Sequence, residues 1–375
     1  MTTAGLNRVA VVASAQTELR PAWRNAQHID LISSVVADVF KGTGLTLHDV
    51  DFVIDSGSDV LDGRSISNCG FLGALGAHHK EESRVEEDGL WAALYGVNKI
   101  RSGASSVGLI VAYSKPSESN VDAYWSSMVE PFYQRPVSFG QRAASGIQAQ
   151  RYCAEHGTTL RALAELTASR WRAAVEHGTV AIDSVPSADT VLASPDAAVP
   201  LKEMMLARPV DGAVAVLLAR EDIARRAART PVWVTGMGTS LDAHSFAART
   251  PGRLSSCEMA AKMAFRKAGW SADSADVAEV SAASVVGELM VLESLGLAGP
   301  GRGLAAATGG RTRVNASGGA LPADPIMATG LVRLAHAARQ LALPELYGLD
   351  RPTRAIAHGT GGVGMQNHCV FTLGI

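Results

Sequence analysis

One stretch of this sequence occurs twice in outline. SSVVADVFKGTGLTLHDVDFVIDSGS (Ser33–Ser58) resembles EMAAKMAFRKAGWSADSADVAEVSAAS (Glu258–Ser284). Each reads as a helix, a glycine stop, a short acidic turn and a strand. A second pair of marks agrees with the first: Gly89-Leu90 opens one late helix and Gly330-Leu331 opens its counterpart. Two similar βαβ-rich halves imply a duplicated core with pseudo-two-fold symmetry. A site is then expected where the halves meet, near the N-termini of the paired helices.

The remaining periodicity fits. Val9–Ser14, Val50–Asp55 and Ser106–Tyr113 read as strands, with helices predicted over Ile29–Phe40 and Gly89–Arg101. In the second half Pro231–Gly236, Asp276–Val280, Arg354–His358 and Cys369–Leu373 read as strands, and Ser255–Ala268 and Gly330–Leu341 as helices. Alternation of this kind argues for an α/β fold with parallel strands and crossover helices. Between about residues 115 and 200 lies a less regular insertion, read as a cap. It carries Tyr124, Trp125, Phe132 and Tyr133, which either line a substrate entrance or pack the cap, then a helical stretch from Ser138 to His177.

The formal net charge of -2 favours neither nucleic acid nor an anionic membrane surface. No apolar run is long enough to span a bilayer, and the first residues lack a basic segment followed by a long apolar one. A cytoplasmic protein is expected. Cys69, Cys153, Cys257 and Cys369 form no CxxC spacing, so reduced thiols and no metal site are expected.

Several segments resemble the thiolase superfamily, in particular its branch related to sterol carrier protein x. YCAEHGTTLRALAELTASRWRAAVEHG (Tyr152–Gly178) is similar to the family's cap. Leu192–Ala224 is similar to the segment entering the last strand of the first half, and Val277–Leu297 falls on its His-Asp-Cys-Phe or Asn-Glu-Ala-Phe loop. VNASGGALPADPIMATG (Val314–Gly330) is similar to Asn-Pro-Ser-Gly-Gly followed by Gly-His-Pro, and AHGTGGVG (Ala357–Gly364) to the final glycine loop. The resemblance implies a duplicated, five-layered αβαβα fold. Residues 1–228 would form the first half, with the cap, and 229–375 the second. It implies a site for a coenzyme A thioester, as substrate and not as a permanently bound cofactor, between the halves. It also implies a homodimer, or a heteromer with a thiolase-like subunit or a small protein with a zinc ribbon and an OB fold.

The working residues of the family are largely replaced. Its nucleophilic cysteine falls on Glu86, its Gly-His-Pro histidine on Asp324, its other loop histidine on Ser281, and its second acid/base on His358. A carboxylate at the thiol's position cannot form an acyl-cysteine. Glu86 reads either as a general base raised by burial or as a solvated acid at a helix N-terminus. Asp324 and His358 read as an acid/base pair, or as a turn residue before Pro325 and a loop histidine. Asn315, Ser317, Gly318 and Gly319, with Gly361 and Gly362, are retained and could offer N–H groups to a thioester oxygen. His244 could reach the acyl-CoA pocket or sit on a surface loop. Cys257 opens a helix but misses the nucleophile position, Ser281 and Ser284 read as small loop residues, and Tyr347 has no position assigned by the motifs.

Keeping oxyanion loops while losing the thiol suits retro-aldol cleavage of a β-hydroxyacyl-CoA, such as a sterol side chain, with His358 or Asp324 as base and Glu86 assisting. The alternatives are a non-catalytic thiolase-like subunit and an atypical acetyl-CoA C-acyltransferase.

Overall fold

The computed structural model describes residues 7–180, 182 and 184–375. The first half runs β1 (Val9–Gln16), α1 (His28–Asp38), β2 (Phe52–Ser56), α2 (Asp59–Asp62), β3 (Glu81–Val85), α3 (Gly89–Arg101) and β4 (Val107–Ser114). The cap follows, with α4 (Val121–Ser127), α5 (Gln141–His156), α6 (Leu160–Glu176), α7 (Ala188–Ala193) and the hairpin β5 (Asp196–Ala198) with β6 (Leu201–Lys202). Then β7 (Gly212–Arg220) and α8 (Glu221–Ala227) return to the core. The second half runs β8 (Val232–Leu241), α9 (Ser255–Ala268), β9 (Val277–Val280), α10 (Val285–Ser294), α11 (Gly303–Gly309), β10 (Arg313–Val314), α12 (Thr329–Ala342), β11 (Arg354–Gly361) and β12 (Asn367–Gly374).

The strand order of the first half is β3-β2-β4-β7-β1, and that of the second is β10-β9-β11-β12-β8. These are the same order with the same directions. β2 is parallel to β3 and β4, as β9 is parallel to β10 and β11, and the remaining pairs are antiparallel. The halves join through a short antiparallel contact of Ala10 with Trp233 and Val11 with Val232.

The apolar pattern explains the layering. On α12, Leu331, Leu334, Ala335, Ala338 and Leu341 recur at helical spacing, and all are buried with α3 between the inner faces of both sheets. Each fully buried leucine contributes about 1.5–3 kcal/mol. The outer face of the first sheet is covered by α1 and α8, and that of the second by α9 and α10 with cap helices α5 and α6 over them. The result is the five-layered αβαβα arrangement. Close packing sets some residues: a Cβ at Gly238 of β8 would lie 2.0 Å from the Ala260 carbonyl of α9.

The cap departs in detail from the single helical run expected. Gly157, with φ +68°, ends α5, and Thr159 starts α6 by accepting the Ala162 N–H at 3.3 Å. Among the cap aromatics Tyr124 is buried, whereas Phe132 and Tyr133 are exposed.

Candidate active site

Two helices start at the same place. Asp88 is the N-cap of α3, and its carboxylate accepts the Leu90 N–H at 2.9 Å. The other oxygen accepts the Gly330 N–H of α12 at 2.8 Å. Gly89 N–H donates to the Met327 carbonyl at 2.7 Å, just before α12. The approach demands glycine on both sides. A Cβ at Gly330 would lie 2.1 Å from the Asp88 carboxylate, and one at Gly89 would lie 2.7 Å from Leu331 Cβ.

This junction forms one wall of a cleft of about 540 Å³ between the halves. Asp88 and Asp324 line it, with Thr329 donating its hydroxyl to Asp324. Asp88 is buried, whereas Asp324 is partly exposed. Burial pushes Asp88 up to about 7, against the two backbone N–H groups and with the charges of Glu87 and Asp324 adding to the rise. Burial likewise pushes Asp324 up to about 6, opposed by the Thr329 hydroxyl and the Arg333 guanidinium. Glu87 stands beside them, bound by the Asn367 amide at 2.6 Å and also raised by burial. Carboxyls this close to neutrality can exchange protons at ordinary pH.

The rest of the cleft is mostly apolar. Val121, Trp125, Leu206, Ile326, Met327 and Met365 form its walls. Arg142, held by Asp122 and Glu203, and Arg208, stacked 5.4 Å over Trp171, supply cationic lining. Two loops also reach the cleft: Ser281, Ala282 and Ala283 ahead of α10, and Thr360, Gly361 and Gly362 at the end of β11.

Of the residues read from the sequence, Asp324, Gly361 and Gly362 line this cleft. Glu86 does not: it is half exposed, takes the Arg84 Nε–H at 2.7 Å and the Asp59 N–H at 3.0 Å, and precedes the helix cap by two residues. His358 does not pair with Asp324. Strand alternation turns it to the opposite face of β11, where its Nε2 meets His368 Nδ1 at 2.8 Å. Gly359 faces Asp88 instead, at 3.2 Å from a built Cβ. Burial holds His358 well below the ordinary histidine range and His368 at about 4, so both are neutral.

Asn315, Ser317, Gly318 and Gly319 lie beneath the cleft and not in its wall. Asn315 bridges the Val280 N–H and Glu288, at 2.7 and 2.9 Å. Ser317 donates to Glu279 at 2.6 Å and accepts from Arg333 at 2.8 Å. Gly318 and Gly319, at φ +99° and +71°, let that loop turn against Ala174 and Asn315. His244 is exposed and does not line the cleft. Tyr347 is buried against His336, 2.9 Å from its Nδ1.

No cysteine is among the residues lining the cleft. Cys369 lies beside Leu90 of α3, but burial and the charges of Asp88 and Glu87 drive its thiol far up, away from a reactive thiolate. Cys257, His358 and His368 bring three potential metal-ligand atoms within 4.8 Å of one another. The two imidazoles already bond each other, His368 Nε2 donates to the Met365 carbonyl at 3.1 Å, and burial raises the Cys257 thiol. The two histidines therefore form a hydrogen-bonded pair in the core, with Cys257 beside them.

Residues 238–374 match the family described as thiolase C-terminal domain-like. An acetyl-CoA acetyltransferase of Methanothermobacter thermautotrophicus is 24 % identical over 355 residues, covering 89 % of this chain and 90 % of that protein. Among solved structures, an Ltp2-ChsH2(DUF35) aldolase superposes with a TM-score of 0.82 at 17 % identity, covering 99 % of this chain and 98 % of that one. A monomeric SCP2-thiolase like protein type 1 from Mycobacterium smegmatis gives 0.75 at 16 % identity, over 98 % of this chain and 77 % of that one. Human mitochondrial 3-ketoacyl-CoA thiolase gives 0.74 at 17 % identity, over 99 % of this chain and all of that one, 100 %.

The chain has the thiolase fold, and its second half matches the thiolase C-terminal domain-like family. The N-terminus of α3 presents the buried carboxyl of Asp88 to the cleft. Among the described residues, this thiolase-fold cleft offers two near-neutral carboxyls for proton transfer and no lining nucleophilic sulfur.

Proposed function

We propose that this protein of thiolase fold is a carbon–carbon lyase that cleaves a β-hydroxyacyl-CoA by a retro-aldol reaction. The observation that carries the reading is the pair Asp88 and Asp324, set in the cleft wall where helix N-termini converge. Asp324, the stronger acid of the two, is ionised first and serves as base. It takes the β-hydroxyl proton. The Cβ–O bond becomes a carbonyl, the Cα–Cβ bond breaks, and its electron pair forms the thioester enolate. Asp88, still protonated, returns a proton to Cα. The products are a ketone or aldehyde and a shortened acyl-CoA, and the proton lost by Asp88 is matched by the one gained at Asp324. No co-reactant is consumed. The N–H groups of Gly361 and Gly362 would hold the enolate oxygen, and the apolar walls strengthen such contacts.

The likeness to a structure titled as an aldolase supports this assignment, and so does the absence of a thiol from the lining. Because that aldolase includes a DUF35 protein, the assembly we infer pairs this chain with a small companion protein of that kind, or with a second thiolase-like chain. Sterol-like or other bulky acyl groups suit the apolar walls.

The test is product analysis by mass spectrometry with β-hydroxyacyl-CoA substrates, using the protein alone and with a DUF35-type partner. A carbonyl product and shortened acyl-CoA, lost on Asp324→Asn by about 100-fold or more, would support the reading. Thiolysis of a β-ketoacyl-CoA by free coenzyme A would return the protein to acyl transfer. Turnover that needs a partner and ignores Asp324→Asn and Asp88→Asn would make this chain a non-catalytic subunit.

A further inference from the structure

Ser145 sits on α5 of the cap, only 1 % exposed, and lines the cleft. Its hydroxyl has no hydrogen-bond partner. Serines in helices usually donate to a carbonyl one turn back, and buried hydroxyls are rarely left unpaired. Beside it on the same helical face, Gln148 donates to the Gly364 carbonyl at 3.1 Å while its Oε1 is also unpartnered. The cleft it lines carries apolar side chains from Trp125, Leu206 and Met365, with Gln141 and Arg142 one turn back on α5. An alkyl group against that wall would leave the hydroxyl dry and unpaired, which is the costlier arrangement.

We propose that Ser145 binds a hydroxyl or keto oxygen carried on the acyl chain beyond the β-carbon, so that the preferred substrates are oxygenated acyl-CoAs. The inference rests on the lyase reading, which assigns the β-oxygen to Asp324 on the core side of the cleft and leaves the cap side for the remainder of the acyl group. A serine hydroxyl both donates and accepts, so it suits either oxygen function.

Calorimetric binding separates the possibilities. The probes are a saturated fatty acyl-CoA and keto-substituted counterparts of equal length, with the oxygen at successive positions and no β-hydroxyl to cleave. One keto probe is expected to bind the wild type roughly 3- to 10-fold more tightly than the saturated probe. Ser145→Ala should bring that ratio to about 1, and Ser145→Thr, which keeps a hydroxyl, should restore part of it. Equal affinity for every probe would overturn the inference. So would a loss in Ser145→Ala shared by saturated and keto probes, which would assign the hydroxyl to the thioester carbonyl. Selective binding without cleavage of any β-hydroxyacyl-CoA would sink the lyase reading and leave this inference standing.

Discussion

Asp88 and Gly330 are 242 residues apart, yet the carboxylate of one accepts the N–H of the other at 2.8 Å. The same carboxylate caps its own helix through Leu90. One side chain therefore ties α3 to its pseudo-symmetric partner α12 and is pinned by both. The contact leaves no room for a methyl group, since a Cβ on residue 330 would lie 2.1 Å from Asp88 Oδ1. Gly330→Ala should cost about 1–3 kcal/mol through forced displacement, less the gain of an alanine in a helix. A lowered denaturation midpoint with loss of turnover is expected. A midpoint equal to wild type would show that the junction yields easily.

The pH profile of cleavage follows from the two carboxyls. A base near 6 gains activity as pH rises through that value, because Asp324 must be ionised. An acid near 7 loses activity as pH rises through that value, because Asp88 must be protonated. kcat should trace a narrow bell with its maximum between these values, its limbs belonging to the coupled pair. In Asp88→Asn the alkaline limb should move or vanish, and an unchanged limb would remove Asp88 from the proton path.

Stability carries the opposite signature. The folded pKa of Asp324 lies above the ordinary carboxylate value, so the native state binds its proton more tightly than the unfolded chain does. Its contribution to stability is present below the unfolded value near 4 and is lost as pH rises through about 6. Asp324→Asn removes that dependence while keeping an acceptor for Thr329. The melting temperature of the variant relative to wild type should therefore rise between pH 4 and pH 8. A flat difference would mean that Asp324 titrates as an ordinary carboxyl.

The sequence made the architecture readable because duplication, alternation and helical periodicity all point to the same strand and helix order. The site was harder, and two residues show why. Glu86 falls on the family's thiol position in the letters, but a helix begins at its cap, and an Asp immediately before Gly-Leu is itself a capping signal that points to Asp88. The glycine-loop motif picks out His358, whereas strand alternation decides its face. Ala355 and Ala357 share the face toward α3 and α12, so His358 must look away from them. Both signals are local and were present in the letters. The partners that give Asp88 its character, Gly330 and Asp324, come from the other half and depend on the tertiary fold. Glu86→Gln is accordingly expected to leave turnover within about 2-fold of wild type, as for an exposed ion pair. A loss of 100-fold would restore Glu86 as a catalytic candidate.

The Asn-Ala-Ser-Gly-Gly loop has a use other than oxyanion binding. Ser317 sits between Glu279 and Arg333, both fully buried, donating to the carboxylate and accepting from the guanidinium. Gln340 donates to the second Glu279 oxygen at 2.6 Å. A buried ion pair holds together when its remaining hydrogen-bond positions are filled, and it becomes expensive when one is emptied. Ser317→Ala should destabilise the fold by about 1–3 kcal/mol, and Arg333→Met by more, about 3–5 kcal/mol, since Glu279 would be left unpaired. Neither side chain lines the cleft, so acyl-CoA affinity measured well below the melting temperature should stay within about 2-fold for Ser317→Ala. A large fall in affinity with unchanged stability would place the loop in the ligand site and reverse this assignment.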